Sequence, residues 1–131
     1  MFDAESGNER ARFVDHVVDM LGPVGATARR MFGGHGIFLD GLMFALIADD
    51  RLYFKADDDN RAIFEDAGSE PFTYMRRGKP ASLSYWSAPD DALEDPTELR
   101  GWAEHGIASA RRAAAAKKRK PKRPRSRKTS N

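Results

Sequence analysis

Leu42 to Ala48 reads LMFALIA and is apolar at every position. Turn dipeptides close it on both sides, Asp40-Gly41 before it and Asp49-Asp50 after it. Asp-Gly between apolar runs is the strongest short-range hairpin signal, because both residues tolerate the positive φ of a tight β-turn. The run has the length of a strand and offers no polar face to water, so both of its faces should be covered. Plain alternation puts Leu42, Phe44 and Leu46 on one side and Met43, Ala45 and Ile47 on the other. Helices are the expected cover for one side. A helix, a strongly curved sheet or a second subunit is the expected cover for the other. A twofold homodimer is the commonest way to close a leftover apolar patch.

The run lies inside Arg29 to Phe54, RRMFGGHGIFLDGLMFALIADDRLYF. That stretch reads as a glycine-rich bend at Gly33-Gly34-His35-Gly36, where three glycines in four residues allow positive φ or a close backbone approach, followed by three strands, Ile37–Leu39, Leu42–Ala48 and Leu52–Phe54. Val24–Phe32 reads as a further, less regular strand ahead of the bend. Before it, Phe13, Val14, Val17, Val18 and Leu21 recur on one helical face, which predicts a first helix from Glu9 to Leu21 with Asn8 as cap and Gly22-Pro23 as stop.

After the meander, Asp57 to Asp59 should begin a short helix, with a carboxylate capping its free amides. Ala62, Ile63, Phe64 and Ala67 form its apolar side, and Gly68 closes it. Pro71–Met75 and Ser82–Trp86 read as a second pair of strands joined by the basic connection Arg76-Arg77-Gly78-Lys79-Pro80. The last helix has the clearest start, with Asp95 as N-cap, Pro96 at N1 and Glu98 at N3. Leu99, Trp102, Ala103 and Ile107 form its apolar stripe, and the alanine-rich run to Ala116 extends it on propensity. Hairpin-linked strands between helices predict an α+β domain, an antiparallel sheet of about five strands with three helices in α-β(3)-α-β(2)-α order.

Charge divides the chain. Residues 1–110 hold 11 basic and 20 acidic groups, a net −9. Residues 111–131 hold the other 11 of the 22 basic residues and no acid. The expected organisation is therefore an acidic domain over 1–110 and a disordered basic tail over 111–131. Such a tail meets a polyanion or folds back on its own domain. The candidate nucleic-acid contacts are Lys117, Lys118, Arg119, Lys120, Lys122, Arg123, Arg125, Arg127 and Lys128, acting through phosphate charge without reading bases.

The blocks RRMFGGHGIFLDG, MFALIADDRLYFKAD, FEDAGSEPFTY and SYWSAPDDALED resemble, in order and spacing, the N-terminal domain of the TfoX/Sxy family of bacterial competence regulators. Met31, Phe32, Gly33, Gly34, Gly36, Asp40 and Gly41 carry the most specific part of the likeness, as structural motif positions. The resemblance implies a compact α-β(3)-α-β(2)-α domain, similar in outline to secretion-chaperone folds. It also implies a role in transcriptional control of DNA uptake beside a cyclic-AMP receptor protein. Full-length members carry a second, helical domain. Here a basic tail stands in its place, so the expectation is a stand-alone TfoX N-terminal-domain protein.

Other chemistry has less behind it. Gly33-Gly34-His35-Gly36 lacks the following helix N-terminus and Lys-Ser/Thr of a phosphate cradle, and reads as a structural bend. His16, His35 and His105 have no ligand spacing and no cysteine partners, so no metal is expected. Of the three, only His35, in the glycine-rich loop, is worth testing as a ligand. Asp57-Asp58-Asp59-Asn60 fails the calcium-loop pattern at Ala62 and Gly68. No nucleophile elbow is present. Trp86 reads as core. Tyr74 stands open between a core role and base stacking beside Arg76, Arg77 and Lys79.

The expected function is that of a non-enzymatic regulatory or adaptor domain whose tail contacts nucleic acid. A general nucleic-acid-associated protein, and a small-molecule or enzymatic domain using Gly33 to Gly36, are the competing readings. Expected partners are nucleic acid, a transcription-regulator protein and a second copy. No cofactor and no membrane contact is expected, and the absence of cysteine suits a cytoplasmic setting.

Overall fold

The computed structural model describes residues 12–31 and 33–119. Helix α1 covers 12–20. The strands are β1 (Thr27–Met31), β2 (Gly34–Leu39), β3 (Leu42–Ala48), β4 (Arg51–Lys55), β5 (Pro71–Arg76) and β6 (Lys79–Ser87). Helix α2 (Arg61–Asp66) lies between β4 and β5, and α3 (Pro96–Arg119) follows β6. The expected start of α1, with Asn8 as cap, lies outside the described residues.

The strands form one antiparallel sheet in the order β1-β2-β3-β4-β6-β5. The fold is α+β as expected, with six strands. The strand beyond the count of five is β1, which falls within the less regular strand expected at Val24–Phe32 and pairs along its full length with β2, from Thr27 opposite Phe38 to Met31 opposite Gly34. Three connections are tight turns with positive φ at both central residues: Asp40-Gly41, Asp49-Asp50 and Arg77-Gly78. The first two stand where the sequence puts them. The third is shorter than the five-residue connection expected, because β5 and β6 pair out to Arg76 and Lys79.

The glycine block is corrected. Only Gly33 sits in the turn, at φ 79, while Gly34, His35 and Gly36 belong to β2. Phe32 lies outside the described residues. Close approach, not bending, selects the two strand glycines. A Cβ at Gly34 would run into the Ile47 carbonyl of β3. One at Gly36 would lie within 2.9 Å of the Met31 and Met43 sulfurs and the Phe38 ring.

The main core fills the space between one sheet face and the helices. Val14, Val17 and Leu21 from the α1 region, Ile37, Phe44, Ala45, Ile47, Leu52 and Phe54 from the sheet, and Leu99, Ala103 and Ile107 from α3 are buried there. Trp86 packs on this core, as expected. α2 contributes Phe64, fully buried and 5.2 Å from Trp102 between ring centroids, while Ile63 stays exposed. The expected apolar side of α2 thus reduces to one anchor, because six residues make fewer than two turns.

The alternation expected along β3 fails at its centre. Ile37 pairs with Ala45, but Phe38 pairs with Met43, so Phe44 is an extra residue in β3 with no partner of its own. Such a bulge shifts the face of everything beyond it. Leu42, Phe44, Ala45 and Ile47 all face the main core, and Met43, Leu46 and Ala48 face away. On the far side, Leu46, Tyr53 and Tyr85 form a small second core beside Phe72. Residues of β1, β2, β3, β5 and β6 line one apolar groove of about 580 Å³ there, so the sheet curls around it. Curvature, one of the three expected covers, shields the floor of the groove.

Candidate nucleic-acid interface

α3 carries the basic end of the chain, and its geometry starts at its cap. The Asp95 carboxylate accepts hydrogen bonds from the backbone N–H of Thr97 at 3.0 Å and of Glu98 at 3.4 Å. The chain thus enters a helix at the expected residue, with an acid at the positive helix end. Leu99, Ala103, Ile107 and Ala110 then lie against β3 and β4. Gly106 passes so close to the sheet that a Cβ there would sit 2.7 Å from the Phe44 carbonyl.

Two polar contacts pin the next turns. Asn60 and Ser109 are both buried. The Asn60 Nδ2 donates to Ser109 Oγ at 2.8 Å and to the His105 carbonyl at 3.0 Å, and Asn60 Oδ1 accepts from the Asp57 amide at 2.9 Å. One turn on, the Arg112 guanidinium grips Asp57 with two bonds, Nε to Oδ2 at 2.7 Å and Nη2 to Oδ1 at 2.9 Å. Nε also lies 3.2 Å from Asp59 Oδ2. The paired guanidinium holds the Asp57 carboxyl below its ordinary range, and Asp57 raises the Arg112 pKa in turn. Arg111 reaches Asp40 more loosely, at 4.0 Å.

These contacts revise the expected role of the acids at 57–59. α2 begins at Arg61, and Asn60 before it makes no side-chain cap bond. Asp57 Oδ1 accepts from the Asp59 amide in a local turn, and its carboxylate is chiefly a socket for Arg112. Nothing in the local sequence joins 57 to 112. The available signal is that Ser109 and Arg112 interrupt an apolar and alanine-rich face at i, i+3 spacing.

The helix does not stop at the expected boundary of the domain. It runs unbroken through 111–119, so the first nine residues of the expected tail are helical. Lys117 and Lys118 are exposed in its last turns, where cations suit the negative helix end. Arg119 closes the helix. Lys120, Lys122, Arg123, Arg125, Arg127 and Lys128 lie outside the described residues.

The remaining candidates are dispersed. His16 donates to the Leu93 carbonyl at 3.4 Å, His35 lies in β2, and His105 packs against Phe64 and Trp102 in α3. Met31, Gly34 and Gly36 meet across β1 and β2, while Asp40 and Gly41 sit at the opposite end of β2. No helix among the described residues is long and apolar enough to cross a membrane.

Residues 18–110 match the family model of the TfoX N-terminal domain. A relative from Aliivibrio fischeri, named DNA transformation protein TfoX1, is 30% identical over 95 residues. The match covers 72% of this chain and 46% of that protein, so the chain spans under half of that relative's length. A Spirochaeta aurantia protein, named as an uncharacterized 12.7 kDa protein in the trpE 5′ region, is 30% identical over 88 residues, 66% of this chain and 70% of its own length. Arg111, Arg112 and the basic run fall beyond the matched segment. With the whole sheet and the packed half of α3 inside that segment, the chain belongs to the TfoX N-terminal domain family.

Proposed function

We propose that this protein is a non-enzymatic regulatory or adaptor module in the control of DNA transformation genes, and that its basic end contacts nucleic acid. The observation that carries the proposal is the division of labour among the 11 cations beyond residue 110. Arg111 and Arg112 pair with Asp40, Asp57 and Asp59 and fix α3 to the domain. Of the other nine, Lys117, Lys118 and Arg119 end the helix, and the six from Lys120 to Lys128 lie outside the described residues. Residues 1–110 carry a net −9 and the segment beyond them +11, so the excess of cations that a phosphate polymer would meet lies on the extension. The family and the name of the Aliivibrio relative support a transformation-linked role. A cytoplasmic setting and a transcription-regulator partner are part of the same proposal.

The test is recovery of partners from native cells with the full chain and with a variant in which Lys117, Lys118, Lys120 and Lys122 are replaced by Gln. DNA recovery should fall sharply while protein partners persist. Unchanged DNA recovery, or loss of every partner together, would overturn the proposal.

A further inference from the structure

We propose that the open, concave face of the sheet is a docking surface for single-stranded nucleic acid. This is independent of the basic end of the chain.

The inference begins with composition by element. The six strands contain Arg29, Arg30, Arg51, Lys55, Arg76 and Lys79 and not one Asp or Glu. In a domain where acids outnumber bases, every acid lies outside the strands. The turn acids lie elsewhere: Asp40 is near Arg111 of α3, and Asp49 and Asp50 line a cleft beside Val14 of α1.

Strand geometry sends most of these cations to the face away from the helices. Arg29 lies 4.8 Å over the Phe38 ring, Arg51 5.5 Å over Tyr53 and Lys55 5.2 Å over Tyr85. Tyr53 and Tyr85 form the floor of the open face. Arg76 shares the face of Tyr74, two residues before it, and pairs across the hairpin with Lys79. Arg51 is bonded to Glu70 at 3.1 Å. Arg29, Lys55, Arg76 and Lys79 make no ion pair among the described residues.

Between these charges runs the apolar groove. Phe72 and Tyr74 sit on its β5 side with rings nearly parallel, 19° apart and 6.1 Å between centroids, and both are half-buried. Met31 and Met43 close the other side over Gly36. Unpaired cations around a strip of partly exposed rings are what an extended polyanion with flat, apolar bases requires: phosphates meet the cations and bases lie on the rings. A duplex hides its bases and gains only the charge. An apolar face of this kind also suits a second copy, but a second copy is acidic over the same 110 residues and gives the free cations no polymer of regularly spaced phosphate. Charge therefore favours the nucleic-acid strand.

The experiment uses the full chain and a fluorescein-labelled oligothymidylate, read by anisotropy at a few hundred millimolar salt, where contacts of the basic end are screened. Tyr74→Ala should weaken binding by about tenfold, the loss expected from removing one stacking ring, and Tyr74→Phe should restore it. Arg76→Gln with Lys79→Gln should weaken binding and flatten its salt dependence. Photocrosslinking of a bromouracil-substituted strand to the unaltered protein should label β5 and β6, which tests the face even if Tyr74→Ala fails to fold. Parent-like binding by folded Tyr74→Ala, labelling confined to the basic end, or equal affinity for duplex would overturn the proposal. So would a dimer that Leu83→Glu dissociates, Leu83 being the exposed β6 residue that lines the groove, in a chain whose β5 and β6 remain unlabelled, an outcome that assigns the face to a second copy.

Discussion

Arg112 and Asp57 lie 55 residues apart in the chain and meet in a two-point guanidinium–carboxylate contact at 2.7 and 2.9 Å. The contact ties the last helix to the segment after β4. It pins α3 one turn past Ser109 and Ala110, the last of its buried residues.

Both partners are partly exposed, so the pair should be modest in energy. Arg112→Ala is expected to lower stability by about 1 kcal/mol, the upper end for solvent-exposed pairs, because the geometry is bidentate. The pH dependence has a fixed sign. Asp57 titrates lower in the folded protein than in the unfolded chain, so the pair stabilises above the ordinary aspartate value of 3.8 and that gain is lost as pH falls towards the folded value. Denaturant unfolding of parent and Arg112→Ala should therefore differ at neutral pH and converge in acid.

The two adjacent glycines, Gly33 and Gly34, should respond differently to alanine. Gly33 has φ 79 and open space around it, so Gly33→Ala should cost about 1–2 kcal/mol from backbone strain alone. Gly34→Ala pushes a Cβ into the Ile47 carbonyl, which is held in the β3 ladder, and should cost about 3 kcal/mol or more. Equilibrium unfolding of the two variants gives the order directly. A reversed order would contradict the close-approach account.

The bulge makes a second contrast. Phe44 is fully buried in the main core, so Phe44→Ala should cost about 3–5 kcal/mol. Its neighbour Met43 lies half-buried on the open face, and Met43→Ala should cost less than half as much. If Met43 proved the more sensitive, β3 would have to run in another register.

Tyr85 offers a spectroscopic check on the open face. Burial pushes its hydroxyl up to about 12, although Lys55 stands over the ring. A raised value means that the folded state resists phenolate formation. Stability should thus be intact below the unfolded value of 10.0 and decline as pH rises from there towards 12. Phenolate absorbance should show Tyr85 ionising late, together with unfolding.

Much of this fold is legible in the residues. Asp40-Gly41 and Asp49-Asp50 fix β3 to its ends, and Asp95-Pro96 fixes the start of α3, because each is a local rule of backbone chemistry. The family likeness rests on the same blocks. What escapes is decided across the chain. The extra residue at Phe44 exists only in the pairing of β2 with β3, and no property of LMFALIA announces it. Three glycines in four residues allow a bend or a close approach, and only the neighbouring strand and three side chains decide that Gly33 turns while Gly34 and Gly36 are selected for small size. The Arg112 clamp and the acid-free sheet emerge only when distant segments are brought together. The basic end is legible as charge, and its helical root through Arg119 follows from alanine propensity carried further than proline-rich composition suggests.

The most direct test of the central claim is the salt dependence of duplex DNA binding by the full chain. Nine cations beyond the clamp set an upper limit to the phosphates neutralised. Affinity should fall by about three to five decades between low and moderately raised salt if most of them engage. Neutralising Lys117, Lys118, Lys120 and Lys122 should remove about four phosphate contacts from the slope and leave thermal unfolding unchanged. Binding that is insensitive to salt, or a slope unaltered by those substitutions, would contradict the account.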